Sequence, residues 1–245
     1  MSKQTVIVSG GALEEEFTLN ILNSEDTEFV IGVDRGLGFL YDHKIEPDYI
    51  VGDFDSAPAE IVQYYRENTD VPIRTFNPVK DASDTEIAMR LCLGLRRQRI
   101  VLLGATGNRM DHAWANVQIL KIALDAGAEA VIMDPWNKIR LINGNTVLKK
   151  DEAYGKYFSL FPLGQTVVDF SIKGAKYPLN HHTLTPWDSL CVSNEFAADE
   201  VEITFPIGDV ILMERSAEKK ELTGGNRRNE TWNRRVTERG KKYII

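Results

Sequence analysis

Residues 48–58 read "DYIVGDFDSAP". A short apolar run, 49–51, stops at Gly52, and two carboxylates one residue apart, Asp53 and Asp55, follow at once. In open α/β sheets ligands bind beyond the carboxyl ends of the strands, so this pair belongs on that rim. Residues i and i+2 of an extended backbone point to the same side, which puts both carboxylates together. Ser56 before Pro58 has the form of a helix N-cap, proline being favoured in the first turn. Taken alone, D-x-D is better explained by Asp53 capping a turn and Asp55 starting a helix. The neighbouring segments decide.

Outward from this stretch, apolar runs at 5–8, 29–33, 99–103, 130–133 and 138–142 predict strands. Between several of them lie segments with apolar spacing near 3.6, at 13–22, 59–65, 84–95 and 111–124, which predict helices. Ser83-Asp84-Thr85-Glu86 has the S-x-x-E form of a capping box. Alternating strand and helix implies a mostly parallel sheet flanked by helices. After Asn143-Gly144-Asn145 short runs split by Gly, Pro and Asn predict strands at 146–149, 157–160, 167–171, 190–192, 201–205 and 209–214. The expected fold is therefore α/β over 1–142, followed by a small antiparallel β-sandwich over 143–215.

Residues 216–245 carry nine Lys/Arg against four Asp/Glu, so the net charge of −7 leaves −12 for the rest. This basic tail has few large apolar residues and no period, and reads as an appendage outside the core, of disordered composition. The acidic whole argues against a nucleic-acid binder. No apolar run approaches the roughly 20 residues that span a membrane. The start, "MSKQTVIVSG", is too short and polar for a secretory signal and reads as the first strand. Two lone cysteines, Cys92 and Cys191, make no disulfide framework and suit a cytoplasmic protein.

Further acids join the pair. Asp34 follows the 29–33 strand in "GVDRG", Asp81 and Asp84 lie in "KDASDTE", and Asp111 lies in "GATGNRMDH" beyond the 99–103 strand. Six carboxylates on one rim repel each other unless a cation is present. Mg²⁺ takes one or two carboxylates plus substrate phosphates, so the set points to metal-assisted phosphate chemistry. In "LLGATGNRMDHAWAN", Gly104 and Gly107 allow close backbone approach to an anion, the next helix offers free N–H groups, and Arg109 adds a bidentate donor. Neither a P-loop nor G-x-G-x-x-G is present. His112 is as well read as a local hydrogen-bond partner, and the adjacent His181 and His182 face opposite sides of a strand. With no G-x-S-x-G, and Cys92 inside an apolar helix, no covalent nucleophile is expected.

"GVDRG", "VGDFDS", "KDASDTE" and "GATGNRMDH", then "GAKYPLNHHTL" and "VSNEF", resemble in order and spacing the signatures of thiamine pyrophosphokinases over residues 3–214. One departure is Asn108, where that family usually has a second glycine; asparagine tolerates positive φ better than most residues. The resemblance implies Mg²⁺-dependent transfer of the pyrophosphoryl group of ATP to the hydroxyl of thiamine, giving thiamine diphosphate and AMP. It implies an α/β catalytic domain, a β-sandwich, and a homodimer with active sites at the subunit interface. By the same resemblance Asp53, Asp55 and Asp84 hold Mg²⁺ and carry catalysis. Asp34, Lys80, Asp81 and Arg109 line the nucleotide, and Asp111, Ser193 and Asn194 contact thiamine. Asp53 and Asp84 are both candidates for accepting the hydroxyl proton, and Trp187 and Trp136 for stacking on the substrate. The competing readings are another metal-dependent phosphoryl enzyme, a nucleotide-sugar glycosyltransferase, and a sensor that binds the same ligands without turnover.

Overall fold

Runs of Val, Ile and Leu with no polar interruption are strands buried on both faces, and in this chain they form a parallel sheet. The structure, a computed structural model, describes residues 3–54, 57–75 and 82–218. Asp55, Lys80, Asp81 and the basic tail beyond 218 lie outside the described residues. Residues up to Glu129 form one compact unit and those from Ala130 another.

In the first unit β1 (Gln4–Val8), β2 (Thr27–Val33), β3 (Tyr49–Gly52), β4 (Ile73–Thr75) and β5 (Arg99–Leu103) alternate with α1 (Glu15–Leu22), α2 (Gly36–Asp42), α3 (Ala59–Asn68), α4 (Asp84–Gly94) and α5 (Met110–Asp125). All strand pairs are parallel, in the order β5-β1-β2-β3-β4. The order therefore reverses between β1 and β5, the topological switch point at which doubly wound sheets leave a crevice. Val6, Ile7, Val8, Val30, Ile31 and Leu102 are fully buried, as a sheet covered on both faces requires. The α4 helix crosses over β1, β2 and β3 and packs on α5. Its start is half of the expected capping box. Ser83 Oγ accepts from Glu86 N at 3.2 Å, whereas the Glu86 carboxylate turns to Arg90 one turn on.

Two elements escape the sequence pattern. The seven residues of α2, "GLGFLYD", include two glycines, which lower helix propensity. The β4 strand is three residues long and mostly exposed, so it has no apolar run.

In the second unit all pairs are antiparallel. One sheet runs β12 (Asn194–Glu195), β9 (Tyr157–Pro162), β14 (Val210–Arg215), β7 (Asn137–Ile142), β6 (Glu129–Met133), and the other β11 (Leu179–Leu184), β10 (Val167–Lys173), β13 (Glu200–Thr204), β8 (Thr146–Lys149). Phe158 and Leu160 of β9, Val210 and Leu212 of β14, Phe170 and Ile172 of β10, and Val201 and Ile203 of β13 share one core. Every second residue from both sheets thus points inward, which makes a sandwich. The compact units divide after the first residue of β6 and before β7, earlier than the change of sequence character at 143, because β7 pairs along its whole length with β14.

The segment 190–192 is not a strand but a turn, Val192 N reaching Ser189 O at 3.3 Å, with Leu190 and Val192 exposed. The strand lies instead at "LNHHTL" in β11, whose polar side chains face solvent and hide its period. Cys92 and Cys191 are buried packing residues; burial pushes their thiols up to about 12 and about 11.

Candidate functional site

Four loops leave the carboxyl ends of β1, β2, β3 and β5 and meet the N-termini of α4 and α5 around a cavity of about 440 Å³. Its wall includes Ser9, Gly10 and Gly11 after β1, Asp34 and Arg35 after β2, Asp53 after β3, and Gly104 to Arg109 after β5. Ser83, Asp84 and Thr85 enter from α4, and His112 and Asn116 from α5.

The acidic wall follows from three local conformations. Asp34 sits at φ 44, a left-handed backbone that aspartate tolerates, and its N–H donates to Val51 O at 3.3 Å. Asp53 leaves β3 directly before Phe54, which is at φ 62 and packs against the buried cluster that includes Leu37, Ile50, Ile61 and Tyr65. Asp84 is the first residue of α4, where the positive end of the helix favours a carboxylate. One oxygen from each of Asp34, Asp53 and Asp84 lies within 4.8 Å of the others, and all three residues are half-buried. Among the described residues this is the group of three such side chains close enough to share one ion. Three hard oxygen donors without sulfur or imidazole suit Mg²⁺ or Mn²⁺ rather than a thiophilic metal.

The opposite wall is backbone and hydroxyl. Gly104 sits at φ 63 with Ser9 O 2.2 Å from where a Cβ would stand, so only glycine closes β1 onto β5 here. Gly11 N donates to Gly104 O at 2.8 Å and Ala12 N to Thr106 O at 2.7 Å. The loop's positive-φ positions are Gly104 and Gly107, so the backbone at Asn108 does not require the left-handed conformation that glycine favours. Asn116 Nδ2 donates to Ala105 O at 2.8 Å and holds the loop onto α5. Ser9 Oγ and Thr85 Oγ1 lie 3.0 Å apart, both buried. The residues that sequence reasoning missed are Ser9, Arg35, Thr85 and Asn116; the "SGG" directly after the first strand was the readable signal.

The expected site residues fall into separate groups. Arg109 lines the cavity and is held by Asp111 through two hydrogen bonds, Nε to Oδ1 at 2.9 Å and Nη2 to Oδ2 at 2.6 Å. Both are exposed. The guanidinium keeps the Asp111 carboxyl far below the usual carboxylate range, and the carboxylate raises Arg109. Asp34, expected beside the nucleotide, converges with Asp53 and Asp84. Asp55, Lys80 and Asp81 lie outside the described residues.

In the second unit Ser193 is exposed at φ 57, and its N–H donates to Ser159 Oγ at 3.0 Å. Asn194 is buried and occupied: Oδ1 accepts from Tyr177 N at 3.0 Å and Glu195 N at 2.9 Å, and Nδ2 donates to Tyr177 O at 2.8 Å. Trp187 is 80 % exposed and Trp136 42 %. His181 pairs with Asp169, and His182 faces Asp188 at 3.7 Å.

Known proteins are similar to this chain in sequence and in fold. The family model of the thiamin pyrophosphokinase catalytic domain matches residues 22–143, and that of the thiamin pyrophosphokinase vitamin B1 binding domain matches 145–208. Thiamine pyrophosphokinase of Bacillus subtilis (strain 168) is 30% identical over 213 residues, 86% of this chain and 98% of the relative. A crystal structure of the thiamine pyrophosphokinase from Bacillus subtilis superposes with a TM-score of 0.76 at 28% identity, covering 88% of this chain and 100% of that one. For a thiamin pyrophosphokinase from Geobacillus thermodenitrificans the TM-score is 0.75 at 31% identity, over 89% of this chain and 100% of that one.

Proposed function

The chain belongs to the thiamine pyrophosphokinase family and carries its activity, transfer of the pyrophosphoryl group of ATP to the hydroxyl of thiamine; on that premise we propose how its own residues do so. In our reading Asp34, Asp53 and Asp84 hold Mg²⁺, with Asp55 two residues after Asp53 in the sequence. The observation that carries this is the convergence of three carboxylates within 4.8 Å beside a glycine loop. A divalent ion bound there neutralises phosphate charge and fixes the polyphosphate.

The chain supplies the rest by positioning, which is most of what phosphoryl transfer asks of a protein. Gly104–Asn108 lets backbone approach the phosphates, the N-terminus of α5 turns its positive end to them, and Arg109 and Arg35 add cationic donors. The thiamine oxygen attacks the β-phosphorus, the bond from that phosphorus to the α–β bridging oxygen breaks, and AMP leaves with that oxygen. Asp53 or Asp84 accepts the hydroxyl proton. Lys80 and Asp81 serve the nucleotide, and Asp111, Ser193 and Asn194 the thiamine, Asn194 by fixing the Tyr177 backbone. The protein acts as a cytoplasmic homodimer with active sites at the subunit interface. Tyr177, Trp187, Leu190 and Val192 are exposed apolar side chains of the kind that a second copy covers.

Phosphorus NMR with ATP, Mg²⁺ and thiamine tests the reading. Thiamine-dependent AMP and thiamine diphosphate without ADP are expected, and both stop on chelation of the metal. ADP, or turnover indifferent to chelation, overturns it. Light scattering at assay concentration checks the dimer; a monomeric mass with full activity removes it.

A further inference from the structure

Gly52 ends β3, and its conformation does not require glycine, since its φ lies outside the left-handed range. The restriction is one of space. A Cβ built there stands 2.3 Å from Asp34 Oδ1 and 3.0 Å from the Phe54 ring, against the roughly 3.5 Å at which carbon contacts become favourable. The ring is the far end of a side chain and needs to give only a few tenths of an ångström. The carboxylate has to move by about an ångström. The Asp34 backbone is tied on both sides, by its N–H to Val51 O and by Leu37 N to its carbonyl at 3.0 Å. The displacement therefore falls on χ1 and χ2 of Asp34, the two angles that set where its carboxylate stands relative to Asp53 and Asp84.

We propose that Gly52 is a positioning residue for the metal–triphosphate site: its missing side chain is the seat that brings Asp34 together with Asp53 and Asp84. The inference rests on the metal role given to those carboxylates above. It assigns the glycine of "VGDFDS" a task separate from turning the chain, which falls to Phe54 at φ 62.

Titration calorimetry of the full chain with Mn²⁺ as its α,β-methylene-ATP complex, joined to metal-free thermal melts, tests it. Gly52→Ala is expected to weaken binding of the complex at least tenfold, and Asp34→Ala to do the same. Because both act through one carboxylate, the double variant Asp34→Ala/Gly52→Ala binds no worse than Asp34→Ala alone, and it melts higher than Gly52→Ala because the methyl fills the vacated space. If Gly52→Ala fails to fold, recovery of a cooperative melt in the double variant is the supporting result. Wild-type binding by Gly52→Ala, additive losses in the double variant, or a double variant that does not fold overturns the inference. Asp53→Asn separates the two levels. If it binds the complex like wild type, the metal reading itself fails.

Discussion

The two units use the same polar residue types in opposite ways. In the parallel unit every strand runs toward the same rim, so Asp34, Asp53 and Asp84, far apart in sequence, arrive at one place. In the antiparallel unit neighbouring strands end at opposite edges, and polar side chains are taken up by nearby backbone. Asn194 clips Tyr177, the buried Glu214 accepts from Tyr154 N at 3.0 Å, and Asp134 caps its own turn through Trp136 N and Asn137 N. A carboxylate in the first unit is therefore expected to govern activity, and a polar side chain in the second to govern stability.

The largest effect is expected from Asp53→Asn. An amide donates and carries no charge, so turnover should fall by about two orders of magnitude or more while the far-ultraviolet circular dichroism stays native. A folded, active variant with unchanged Mg²⁺ dependence breaks the comparison at its strongest point.

Asn194→Ala is the counterpart in the sandwich. It leaves the N–H and C=O of Tyr177 and the N–H of Glu195 without their partner, which should cost about 2–4 kcal/mol and lower Tm visibly. A variant with native Tm but a raised KM for thiamine shows that the side chain serves the substrate directly.

Asp111→Asn sharpens the boundary between the two roles. Both members of its pair with Arg109 are exposed, so Tm near neutral pH should not change, whereas KM for ATP should rise several-fold as Arg109 loses its tether. The pair's pH sense follows from the direction of the shift: Asp111 is held below its unfolded value, so its contribution is present above the usual aspartate range and is lost on acidification through the lowered one. KM for ATP in the wild type should thus be flat with respect to this group from pH 5 to 8.

The smallest effect belongs to Tyr65→Phe. The Tyr65 hydroxyl is buried, and among the described residues no hydrogen-bond partner reaches it. Removing it should leave stability unchanged or raise it by about 1 kcal/mol in chemical denaturation. A loss larger than that reveals a partner, such as a bound water.

The sequence by itself determined the layered architecture of each unit. Runs such as Val6–Val8 and Ile100–Leu103 are apolar throughout because both faces of a parallel strand are covered, and the sandwich strands alternate because only one face is. It also marked the strand-end acids and the glycine loop, because phosphate and metal chemistry limits which residues can stand there. Tertiary structure decided the rest. Which carboxylates meet depends on strand order and on the left-handed turns at Asp34 and Phe54, neither of which leaves a periodic trace. That Arg109 is latched by Asp111, and that Asn194 is occupied by backbone, depends on side-chain directions that a motif does not encode. Local pattern follows from burial, which each residue experiences separately. Convergence at a site is a property of where whole elements end, and only packing sets that.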